Sequence, residues 1–85
     1  MQKSQIRLLS ELSQNSFATV VEIDHQPSFT LKAAALGLKI NKTVCVLHKS
    51  NNGPICIKVN TSSFMIRAAD AAKIKVIPQW KKLLS

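Results

Sequence analysis

The chain has 85 residues, of which 46% are hydrophobic and only 5% aromatic, and it carries a formal net charge of +8. That length suits one compact domain and is too short for two, and the apolar content excludes a disordered tail while demanding an aliphatic core. The basic balance favours phosphates, anionic lipid headgroups or an acidic protein face, but the cations are scattered and form no polybasic run. Two cysteines, Cys45 and Cys56, do not make a disulfide scaffold. Met1 to Leu12 lacks the continuous apolar segment and cleavage site of a signal peptide, and no stretch approaches the ~20 apolar residues of a membrane span. A soluble cytoplasmic protein is expected.

Phe17 to Ile23 is rich in β-branched residues and reads as a strand, which Asp24 to Ser28 interrupts around Pro27. A short helix is expected from Ser28 to Leu36. Ser28 would cap its start, Phe29, Ala33 and Leu36 would share its inner face, and Gly37 would take the left-handed turn at its end. Thr43 to His48 is the next strand, with Val44 and Val46 on one face and Cys45 and Leu47 on the other. Ser50 to Gly53 forms a turn, and Ile55 to Val59 returns as a half-buried strand. Ser63 to Arg67 is a further strand with Phe64 and Ile66 inward. Ala68 to Ala72 makes one helical turn. Lys73 to Ile77 is the last strand, with Ile74 and Val76 on one face and Pro78 as its end. About five short strands joined by tight turns, with one short helix, favour a small barrel or sandwich. The domain core spans about 10–77, and 78–85 is a C-terminal tail.

Several segments in this order resemble the FeoA family. Ser10-Glu11-Leu12 resembles the family's lead-in to the first strand, Leu36-Gly37-Leu38 its signature turn, and Gly53-Pro54-Ile55 its hairpin. Ile66-Arg67 followed by Asp70-Ala71 resembles its step into the last strand. The resemblance runs from about Ser10 to Ile77. Three places where the family usually has glycine hold Asn15, Asn41 and Thr61 here, marking a divergent member. Asparagine tolerates a positive φ, whereas a β-branched Thr61 would be strained there, so that turn should differ in shape. The resemblance implies an SH3-like small β-barrel that acts with FeoB, the membrane transporter of ferrous iron, in a regulatory binding role. The same fold also occurs as the C-terminal domain of iron-dependent repressors.

Catalysis is not expected. The acidic residues are Glu11, Glu22, Asp24 and Asp70, no two spaced as a working carboxylate pair, and no glycine-rich phosphate loop is present. For a transition metal, the candidates are Cys45, Cys56 and His48. Their spacing matches no zinc pattern, and simple alternation puts His48 on the face opposite Cys45. Reduced thiols and a solvated imidazole are the plainer reading, and no cofactor is expected.

For partner binding, Leu38 and Lys39 form one candidate, an exposed leucine beside a cation, weighed against Leu38 plugging the bottom of the barrel. Trp80, Lys81 and Lys82 form another, as a docking tail, weighed against a strap that buries Trp80 on the barrel. The alternative function is a basic nucleic-acid-binding barrel. It is disfavoured because such surfaces interleave cations with exposed rings, and here Phe29 and Phe64 are needed inside.

Overall fold

The computed structural model of the chain describes residues 5–51 and 53–79. Its strands are β1 (Arg7–Leu8), β2 (Phe17–Ile23), β3 (Thr43–Lys49), β4 (Ile55–Val59), β5 (Ser62–Ile66) and β6 (Ile74–Gln79). Its helices are α1 (Pro27–Ala35) and the single turn α2 (Ala68–Ala71), and a 3-10 turn at Leu9–Glu11 follows β1. All strand pairs are antiparallel, in the order β1-β6-β2-β3-β4-β5. This is the expected SH3-like, mostly β architecture, with six strands in place of five. The additional strand is β1, ahead of Ser10, whose two residues pair with Val76 and Lys75.

Alternation explains the core. Val20, Val44, Val46, Ile57, Ile74 and Val76 are fully buried, and Phe29 is the only ring among the buried residues described. Each such aliphatic side chain contributes about 1.5–3 kcal/mol relative to leaving it in water. No polar side chain is buried with them among the described residues.

Three features differ from the sequence reading. Helix α1 begins at Pro27, with Gln26 rather than Ser28 at the cap position and no side-chain capping bond. Proline suits the first helical position, because its fixed φ is helical and its missing N–H would be unpaired there anyway. The approach to the helix is held by Asp24, whose Oδ1 accepts from the Gln26 amide at 3.2 Å, and by Thr30, whose hydroxyl donates to the Gln26 carbonyl at 3.0 Å.

Pro78 does not end the last strand but lies within β6, opposite Ala18. On its other side β1 reaches only Lys75 and Val76. Among the described residues the strand therefore has one neighbour at Pro78, and a missing donor on the other side costs no ladder bond there.

The third difference is a register shift in the β3–β4 pair between Val46 and His48, which leaves Leu47 as an extra residue. A bulge of this kind breaks alternation. His48 consequently sits opposite Cys56, on the outer face, and not on the face opposite Cys45.

The turns follow the asparagines. Asn15 and Asn41 have φ of 67° and 73°, as the missing glycines suggest. In the β4–β5 loop the positive φ falls on Asn60, at 59°, which spares Thr61 the strained conformation.

Candidate functional site

Helix α1 ends in a hydrogen-bonded pattern that builds one wall of a groove. The Gly37 amide donates to Ala34 O at 3.0 Å, and the Leu38 amide reaches back to Ala33 O at 2.9 Å, with Gly37 at φ 85°. This Schellman arrangement normally turns the following apolar residue back onto the helix. Leu38 is accordingly 1% exposed and belongs to the core. It plugs the barrel, and the exposed leucine considered as a partner contact is not found. Lys39, next in sequence, is exposed.

Between α1 and the end of β5 lies a cavity of about 140 Å³, lined mainly by Phe29, Ala33, Leu36, Leu38, Met65 and Ile66. Lys32, Arg67 and Asp70 complete its lining. Phe29 anchors the helix in the core, and the Lys73 ammonium lies 5.3 Å from its ring centroid, within cation–π range. Lys32 Nζ donates to Asp70 Oδ2 at 2.8 Å and spans from α1 to α2. That bond holds the Asp70 carboxyl below its ordinary pKa. With Asp70 engaged in this way, Arg67 leaves the groove with a net positive charge.

At the end of β3, Lys49 has a structural task. Its ammonium donates to Ser10 O and Leu12 O, each at 2.8 Å, and so ties the segment after β1 to β3.

The metal candidates do not converge. His48 and Cys56 are cross-strand neighbours, but Cys45 lies opposite Lys58. Among the described residues, no group of three or more His, Cys, Asp or Glu is placed to hold a metal ion. Cys45 and Cys56 are both free thiols. Trp80, Lys81 and Lys82 lie outside the described residues. The groove residues Lys32, Met65, Arg67 and Asp70 were not named as binding candidates from the sequence, although Arg67 and Asp70 belong to the segment that resembles the family's step into the last strand. Met65 alone carries a readable signal: with Phe64 and Ile66 inward, an apolar side chain at 65 must face out, and it is 61% exposed.

The molecule is thus an SH3-like β domain with an apolar, basic-rimmed groove beside an edge strand. A family model described as the FeoA domain matches residues 7–78, and the chain belongs to that family. Among solved structures, an iron uptake regulatory protein, FeoA, is 28% identical with a TM-score of 0.85, over 88% of this chain and 100% of that one. FeoA of Stenotrophomonas maltophilia complexed with zinc is 23% identical with a TM-score of 0.69, over 80% and 86% of the respective chains. It is described as an SH3 domain protein. A manganese-dependent transcriptional repressor shares the fold at 19% identity and a TM-score of 0.81, and the match covers 92% of this chain but 44% of the repressor. No curated protein matches the chain by sequence. No helix among the described residues is long and apolar enough to cross a membrane.

Proposed function

We propose that the chain is a non-enzymatic accessory of ferrous iron transport that binds a FeoB-type membrane transporter on its cytoplasmic side. The observation that carries this reading is the FeoA family match over residues 7–78. The groove between α1 and β5 supports it, since an apolar floor with a cationic rim suits a protein contact. Lys39 and the tail residues Trp80, Lys81 and Lys82 are further contact candidates around that docking.

The test is a pull-down from membrane extract with the full chain as bait, in moderate salt, with and without nuclease. Recovery of a transporter carrying a GTPase-like domain, unaffected by nuclease, is the expected result. Recovery of nucleic acid alone, lost as salt rises, would overturn the reading and favour the nucleic-acid alternative.

A further inference from the structure

Strand β5 ends the sheet with one side unpaired by any described strand. Its sequence, Ser62-Ser63-Phe64-Met65-Ile66, has no charge and no proline, and its pairing with β4 runs from Val59↔Ser62 to Ile55↔Ile66 without a shift. Folded proteins usually blunt such an edge with a charge, a proline, a bulge or a covering segment. Here the strand itself has none of the first three, and Ser63 and Met65 are exposed.

The register identifies which backbone groups are free. Val59 and Ser62 flank the two-residue loop Asn60-Thr61 and form the hydrogen-bonded pair that closes such a hairpin. Bonded and non-bonded pairs then alternate along an antiparallel ladder. Phe64 and Ile66 therefore direct their N–H and C=O groups at β4, and Ser63 and Met65 direct theirs away from the sheet.

We propose that β5 accepts an added strand from a partner, an extended segment in which apolar residues alternate with acidic ones. The proposal rests on the docking reading above and specifies its geometry. Strand addition supplies main-chain hydrogen bonds for affinity, and alternate side chains supply selectivity. Side chains of the added strand that point inward lie beside Phe64 and Ile66, and those that point outward lie beside Met65 and Arg67; Met65, Ile66 and Arg67 all line the groove. The Arg67 side chain makes no ion pair among the described residues, while Asp70, the groove's acid, is engaged by Lys32. Acidic outward residues are thus complementary to this rim and to a chain of net charge +8. A second copy carrying the same charge is repelled.

The test uses the full chain and a short synthetic peptide of alternating glutamate and leucine, with a lysine–leucine peptide as control. Amide hydrogen exchange should slow at Ser63 and Met65 when the acidic peptide binds. Met65→Pro removes an outward N–H that the β4 ladder does not use, a position where an edge strand tolerates proline. It should weaken peptide binding by about tenfold or more, through the lost bond and the blocked edge, while Met65→Leu stays within about twofold of the parent. Ser63→Pro repeats the test at the other free site if Met65→Pro fails to fold.

No binding of the acidic peptide, equal binding of the lysine peptide, or binding untouched by proline would each overturn strand addition. So would protection of the same amides by self-association without peptide, or by an RNA oligomer in place of the peptide. None of these readouts involves a transporter. Failure here leaves the transporter pull-down standing, and failure of the pull-down leaves this result standing.

Discussion

The two edges of the sheet are built on opposite terms. β1 has two residues, carries Arg7, and runs straight into a 3-10 turn whose Leu9 is fully buried. Lys49 then ties down the backbone that follows it. β5 has five uncharged residues and borders an apolar groove. A short, tied edge offers a partner little backbone to pair with, whereas a long, uncharged one is a template for another strand. The difference teaches where to look for a contact in a domain whose described residues show no group placed to hold a metal ion: at the edge no described strand covers.

The largest effect is expected at the closed edge. Leu9→Ala removes a fully buried side chain beneath β1 and should cost about 2–5 kcal/mol in denaturant unfolding, depending on how far the site collapses. If the cost is under 1 kcal/mol, about what an exposed leucine shows, the anchoring of β1 is wrong.

Next is Lys49→Ala, which strips two carbonyls of a charged donor and should cost about 1–3 kcal/mol. Hydrogen exchange would sharpen the contrast, with Leu12 and its neighbours losing protection while β5 is unaffected.

Gly37→Ala tests the support of the open edge. The added methyl makes ordinary van der Waals contact with Val59 Cγ1 at 3.5 Å and Asn60 Nδ2 at 3.8 Å, with no clash, so the cost of about 1–2 kcal/mol comes from the positive φ. At Gly53, whose φ is not positive, the same substitution carries no such backbone penalty, but its methyl would meet Ser50 Oγ at 2.5 Å and require that side chain to turn away.

The smallest effect is at Asp70, worth under about 1 kcal/mol for a surface pair. Its pKa is lowered on folding by the Lys32 bond, so the stabilisation is present above the unfolded carboxylate pKa, near 4. It is lost as pH falls through the lower folded value. Asp70→Asn should therefore lose that contribution, under about 1 kcal/mol, at neutral pH and flatten the fall in stability below about pH 4. An unchanged acid limb would show that the pair contributes nothing.

Much of the fold was legible in local chemistry. β-Branched content located β2 and alternation located β3 through β6, to within a residue or two at most ends, and Gly37 marked the end of α1 through its tolerance of positive φ. Asn15 and Asn41 were read correctly as stand-ins for glycine because the preference is a property of the residue itself. The ordered set of turns pointed to the FeoA family, which the family match bears out. The groove was not legible, because it is assembled from α1, β5 and α2, and no local pattern reports which of these will meet.

By itself the sequence determined the mostly β class, the aliphatic core, the helix ending at Leu36-Gly37 and the family. These follow from residue-level propensities and from periodicities that a few neighbours suffice to set. Only the tertiary structure decided that two residues at Arg7–Leu8 become a strand, since so short a segment has no period and exists only through its pairing with β6. It also decided that Pro78 sits within a strand, because among the described residues only β2 pairs with it there, and that His48 shares the outer face with Cys56, because a bulge depends on how many residues the opposing strand supplies. The free edge of β5 is of the same kind. Whether a strand ends a sheet is settled by the other strands and not by its own residues.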